Sequence, residues 1–255
     1  MTFSPYMEQF QEWPFPYELM IPSGSRSKKS VLHFRDWLLS QENRMDSALA
    51  EMLQPVLADS STDQRFFQLY GPLRLLMRTL EFNRTMLKSV SCPIQLYIAQ
   101  SLIPNLAPAL QGDVPTPDLV SNAGKGDVYG SSVWLGSEPT YTPLHRDPNP
   151  NLFYQLCGSK SLRIMPPAHG DRIFAQVQAR LGRYGGSRIR TSEMMEGAER
   201  KLLYEMVWEN EPQGEVYGVD VGPGDALFIP RGWWHSVKSA GAEGHLNSSV
   251  NWWFR

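Results

Sequence analysis

The stretch Thr142–Pro167, TPLHRDPNPNLFYQLCGSKSLRIMPP, decides how the rest of the chain is read. It sets His145 and Asp147 two residues apart on an extended segment, and a strand bearing Lys160 follows. Side chains at i and i+2 of a strand point to the same side, so both can reach one ion while Arg146 faces away. His145-x-Asp147 is therefore half a metal site, and the missing ligand should be a lone His far downstream. The stretch Val221–Val237, VGPGDALFIPRGWWHSV, supplies it. There Gly222-Pro223-Gly224-Asp225 reads as a turn, Ala226 to Ile229 as a short apolar strand, and Pro230-Arg231-Gly232 as a second turn leading to His235. Two His and one carboxylate on one face of a metal, with other positions open, suit non-haem Fe(II) oxygen chemistry.

Composition bounds the class. The chain has 255 residues, 42% hydrophobic and 20% charged, enough to bury a sizeable core. A net charge of −2 gives no basic field for nucleic acid or a membrane surface. Only Cys92 and Cys157 are present, too few and isolated for a disulfide framework or a cysteine zinc site. No secretory leader and no membrane-spanning run are read, so a cytoplasmic or nuclear location is expected.

Outward from the centre, residues 1–30 are rich in aromatics and Pro and read as a strap over the core; Lys28-Lys29 is too short for a nuclear signal. From Ser30 to about Val90 the pattern reads as helical, with Ser30 as a cap, Pro55 interrupting a second segment, and Leu73, Leu76, Met77 and Leu80 forming a stripe that packs on a sheet. Residues 58–64 read as loop. Strand alternation begins at Ile94, Leu96 and Ile98, residues 103–127 read as loop, and Val128 to Leu135 returns to strand. Residues 1–92 are thus expected as a strap and helical region, and 93–255 as the β domain with an insert at 168–213. The insert carries Arg172, Arg180, Arg183, Arg188 and Arg190, then Glu193, Glu196, Glu199, Arg200 and Lys201. It reads as a solvated surface excursion, with a substrate-selecting loop as the alternative. His169 and His245 read as surface residues, and Trp233, Trp234, Trp252 and Trp253 as core and cavity wall.

From about Gly130 to Arg255 the chain resembles the JmjC-type cupins, Fe(II)- and 2-oxoglutarate-dependent oxygenases, most closely the asparaginyl hydroxylase of hypoxia-inducible factor. Besides the metal triad, the resemblance rests on Thr142 three residues before His145, Lys160 on the next strand, Asn151, Phe153, Pro166-Pro167 and the closing Asn251-Trp252-Trp253. It implies a mainly β fold with flanking α-helices, a double-stranded β-helix of the cupin or jelly-roll type. It implies Fe(II) on His145, Asp147 and His235, with 2-oxoglutarate and molecular oxygen as co-substrates. Thr142, Lys160 and Tyr97 would hold the far carboxylate of 2-oxoglutarate, and Asn151 and Asn251 would stand near its metal-bound end. Bland readings stand beside these: Thr142 before Pro143 as turn chemistry, Tyr97 as a half-buried strand aromatic, and Asn151 as a turn cap in Pro148-Asn-Pro-Asn151.

The activity implied is hydroxylation of a C–H bond, on an amino-acid side chain of a protein or peptide. Alternatives of the same chemistry are an N-methyl-lysine demethylase and a hydroxylase of a small molecule or tRNA. An isomerase or storage cupin would offer His-x-His and a further Glu. An inactive binding module would have lost a ligand or Lys160, and neither is lost. The chain stops at Arg255, before the C-terminal helices through which the asparaginyl hydroxylase dimerises, so a monomer is expected.

Overall fold

The computed structural model describes residues 3–22, 25–59, 65–86, 92–182, 197–210 and 214–255. The chain runs β1 (Pro14–Ile21), α1 (Ser25–Leu39), α2 (Arg44–Met52), α3 (Gln54–Ala58), β2 (Arg65–Pro72), α4 (Leu73–Met86), β3 (Gln95–Leu102), α5 (Pro108–Asp113) and α6 (Asp118–Asn122). It continues β4 (Val128–Ser137), β5 (Tyr141–Arg146), β6 (Asn151–Cys157), β7 (Lys160–Met165), α7 (Pro167–Leu181), α8 (Gly197–Tyr204), β8 (Tyr217–Val221), β9 (Ala226–Ile229), β10 (Trp234–Ser239) and β11 (Leu246–Phe254).

A seven-stranded sheet, ordered β2-β1-β3-β4-β11-β6-β9, faces a four-stranded sheet ordered β5-β10-β7-β8. The strands from β4 onward are shared between the two sheets, as in a jelly roll. Pairing is antiparallel throughout, so one face of each sheet can look into the barrel and the other outward. Turns between strands follow local chemistry. Gly224 has a φ of 94° in the turn before β9, and the Asp225 carboxylate accepts from the Gly222 N–H at 2.8 Å.

Four sequence readings are corrected. Residues 65–72, read as helical, form strand β2 at the sheet edge. The N-terminal strap is strand β1, whose Phe15, Tyr17, Leu19 and Ile21 alternate into the core between β2 and β3. Helix α1 starts at Ser25, so Ser30 lies inside it, its hydroxyl 3.3 Å from Cys92 Sγ. Residues 103–127, read as loop, contain the short α5 and α6. Other readings hold: Pro55 sits in the first turn of α3, where its missing N–H costs nothing, and Leu73, Leu76 and Leu80 are buried on the inner face of α4.

The insert is also corrected. Its described part is a packed layer: Ile173, Phe174 and Val177 of α7 join Leu203 and Val207 over Leu144, Met165 and Trp234 of the smaller sheet. His169, read as a surface residue, is buried on α7, with the Arg172 guanidinium donating to its Nδ1 at 2.8 Å. His245 is exposed as expected. The basic cluster Arg183, Arg188 and Arg190, with Glu193 and Glu196, lies outside the described residues, as do residues 60–64 of the 58–64 loop.

Candidate metal and co-substrate centre

β5 and β10 are neighbours, and their register pairs His235 directly with His145. The two imidazoles therefore meet, with ring centroids 4.1 Å apart. Asp147, just past the end of β5, closes the group: its Oδ1 is 4.0 Å from His145 Nε2 and its Oδ2 3.6 Å from His235 Nε2. One donor atom from each residue lies within 4.8 Å of the others, a cluster of metal-site dimensions. Arg146 points away, as expected, stacking over Trp234 and pairing with Asp171 at 3.1 Å.

The surroundings orient the donors. His145 Nδ1 lies 2.8 Å from the Pro143 carbonyl, which places the proton on Nδ1 and turns the Nε2 lone pair inward. Asp147 Oδ2 accepts from Asn151 at 2.9 Å and from the Trp253 indole at 2.8 Å. Asn251 in turn donates to Asn151 at 2.8 Å. Burial works to raise the Asp147 pKa, but the two imidazoles and these hydrogen bonds outweigh it and hold the carboxyl below its ordinary value. Burial and the adjacent His235 push the His145 pKa down, keeping the ring neutral and able to ligate.

A cavity of about 220 Å³ opens over the cluster and is lined by all eight residues singled out in the sequence. Thr142, Tyr97 and Lys160 stand on its wall, and Asn151 and Asn251 flank Asp147. Lys160 is 3% exposed. Its ammonium donates to Ser249 at 2.8 Å and reaches the Tyr97 hydroxyl at 3.5 Å, and it sits over the Phe153 ring. Burial pulls its pKa down to about 7, with Glu138 opposing the shift. A buried ammonium whose direct contacts are hydroxyls and aromatic faces can take an anion as a charge-assisted partner.

Sequence reasoning missed three contributors. Trp253 is hydrogen-bonded to Asp147; the period of two in Asn251-Trp252-Trp253 could have shown that 251 and 253 share a face. Gln100, with a φ of 55°, sits where the register of β3 against β4 shifts, and lines the cavity. Glu18 lines a second chamber of about 370 Å³ that shares Tyr97, Gln100, Trp134 and Thr142 with the first. Alternating Phe15, Tyr17, Leu19 and Ile21 put Glu18 on the opposite face of β1, a signal present in the sequence but obscured by the strap reading. Among the described residues, no hydrogen bond or ion pair reaches the Glu18 carboxylate. Burial raises its pKa to about 7, against the lowering influence of Arg200.

A jelly roll with a His-Asp-His cluster under a cavity with one buried Lys defines the class: a metal-dependent cupin. The comparison with known families agrees, since residues 33–255 match the cupin-like domain family, and the chain belongs to it. Curated relatives include the Jumonji C domain-containing protein 5 of Drosophila melanogaster, 29% identical over 163 residues, covering 62% of this chain and 36% of the relative. The lysine-specific demethylase JMJ30 of Arabidopsis thaliana is 26% identical over 175 residues, 68% of this chain and 37% of the relative. Lysine-specific demethylase 8 of Xenopus tropicalis is 26% identical over 160 residues, 62% of this chain and 32% of the relative. The chain thus spans about a third of the length of these relatives. The donors fit Fe(II) with 2-oxoglutarate and molecular oxygen: two imidazoles, one carboxylate and a buried lysine ammonium hydrogen-bonded to Ser249. Among the described residues no helix is long and apolar enough to cross a membrane.

Proposed function

We propose that this chain is an Fe(II)- and 2-oxoglutarate-dependent oxygenase that hydroxylates a C–H bond on an amino-acid side chain of a protein substrate, and that this side chain is cationic. The observation that carries the oxygenase reading is the convergence of His145, Asp147, His235 and Lys160 on one cavity. Fe(II) held there would supply the oxidant, one oxygen atom of O₂ going to the substrate C–H as 2-oxoglutarate is converted to succinate and carbon dioxide. The protein's share is binding and positioning. Lys160, Thr142 and Tyr97 hold the far carboxylate of the co-substrate, charge-assisted at Lys160. The chain Asn251 to Asn151 to Asp147 fixes the carboxylate ligand, and the walls of Phe153, Trp134 and Val237 exclude water.

The cationic substrate rests on Glu18. A neutral side chain would leave that carboxylate with no cation in direct contact, whereas a lysine or arginine provides one. The relatives named as lysine-specific demethylases support the same direction. They also favour a second reading, N-demethylation, in which hydroxylation of an N-methyl group releases formaldehyde.

Anaerobic titration of the Fe(II)-loaded protein with 2-oxoglutarate tests the centre through the visible charge-transfer band of the chelate. The band is expected in the intact protein, absent in His235→Ala and demanding far more 2-oxoglutarate in Lys160→Ala. An iron-loaded protein without the band overturns the assignment. Turnover with lysine- and arginine-containing peptides, read by mass, then separates gain of one oxygen atom from loss of a methylene unit with formaldehyde.

A further inference from the structure

The insert helix α8 packs against β5, the strand that carries Thr142 and His145; its Glu199 is buried, and its half-buried Arg200 reaches toward the sheet. The Arg200 guanidinium lies 4.5 Å from the Tyr141 ring centre and donates to the Tyr141 carbonyl at 3.2 Å. It does not touch Glu18. Instead the two line a narrow gap of about 40 Å³, whose wall also includes Met20, Phe66, Gln95, Tyr97 and Tyr141. A gap of that size has room for a bridging water, whose share of liquid volume is about 30 Å³. Glu18 thus stands between two spaces: the gap shared with Arg200 on one side, and the substrate chamber on the other.

We propose that Arg200 is the positioning residue of the substrate chamber: it stabilises Glu18 as a carboxylate across the gap while leaving the chamber side of that carboxylate open to the substrate cation. The inference rests on the cationic-substrate reading above. An arginine in direct contact would neutralise Glu18 and compete with the substrate. A solvent-separated one holds the charge without occupying the site. Part of the insert is in this way built into substrate recognition, and so is β1, although β1 lies before the residues that match the family.

The other titratable groups facing Glu18 are Tyr97 of β3 and Tyr141 of β5, and burial holds both phenols far above neutrality. The facing residues of β2, Phe66, Gln68 and Leu69, do not titrate. Between pH 6 and 9 Glu18 is the group of this set that changes charge; Lys160, 3.5 Å from the Tyr97 hydroxyl, titrates in the same range, so the Glu18 share is the part of the pH profile that Arg200→Met displaces.

Ethylguanidinium is a suitable probe for the 255-residue chain, with tryptophan fluorescence as readout because Trp134 lines the chamber. In the intact protein affinity should rise with pH through neutrality as Glu18 ionises. Arg200→Met should weaken binding at pH 7 by up to about tenfold for each unit that the Glu18 pKa rises, with recovery by pH 9. Arg200→Lys should keep most of the affinity at pH 7. Equal affinity of Arg200→Met and the intact protein at pH 7, or a loss of the same size at every pH, overturns the proposal. Arg200→Gln gives the same reading if the Met variant fails to fold. Glu18→Gln separates the two levels: it should abolish probe binding, and undiminished binding would sink the cationic chamber itself, whatever Arg200 does.

Discussion

A lysine ammonium removed from water loses several kcal/mol of solvation unless something replaces it, and Lys160 meets that cost with one serine, one tyrosine and two aromatic faces. Burial lowers its pKa to about 7, so the ammonium is charged at lower pH and neutral at higher pH. A dianionic co-substrate selects the charged form and raises the pKa when bound. The sign follows from linkage: affinity for 2-oxoglutarate is flat below about pH 7 and falls above it, by up to about tenfold per pH unit. His145 adds no opposing loss in this range, since its pKa lies below the ordinary histidine value. Dissociation constants of the metal-loaded protein from pH 6 to 9 check this. A flat profile to pH 9 would mean that the ammonium is stabilised by something beyond these partners. At this scale the sequence was most legible: spacing pointed to His145, Asp147 and His235, the family resemblance to Thr142, Lys160, Tyr97, Asn151 and Asn251, and all eight line one cavity. Glu18 was not, because its role depends on a chamber wall built from β2, β3 and β4, which no local pattern announces.

Elements were legible where one face is apolar and the other polar. The stripe on α4 is clear, whereas Arg65–Pro72 places Phe66, Phe67, Leu69 and Tyr70 at spacings that fit a helix as well as a strand. As an edge strand, β2 has one main-chain neighbour and a burial pattern without clean alternation, so nothing in its sequence resolves the choice. In the insert, Ile173, Phe174 and Val177 mark a buried helix face, but arginines on the same helix dominated the reading. The packing of α7 is close enough to test with one methyl group. A Cβ on Gly170 would lie 2.1 Å from the Trp234 ring, and that ring is fully buried beneath the helix. Gly170→Ala should therefore destabilise the fold by about 1–3 kcal/mol through overpacking, despite alanine's better helix propensity. Urea unfolding measures it; an alanine variant as stable as the parent would show that α7 can lift without cost.

At the scale of the molecule, the family match and the sheet disagree about where the folding unit begins. The match starts at residue 33, inside α1, and composition alone made residues 1–30 read as a strap over the core. In the sheet, β1 pairs with β2 along eight residues and with β3 along three, so it is the strand that ties the edge to the barrel. Phe15, Tyr17, Leu19 and Ile21 are all buried, and full burial of such side chains contributes about 1.5–3 kcal/mol each. Their sum, about 6–12 kcal/mol, is comparable to the whole stability of a typical domain, about 5–15 kcal/mol. A chain cut to residues 33–255 should therefore show no cooperative thermal transition and should bind apolar dyes, although it retains every metal and co-substrate residue. Restoring residues 1–32 in the same polypeptide should recover a single transition. Cooperative unfolding of the 33–255 fragment within a few degrees of the full chain would show instead that β3 can serve as an edge. The division at residue 92 would then mark a true boundary, with β1 and β2 an appendage that brings Glu18 to a barrel already folded.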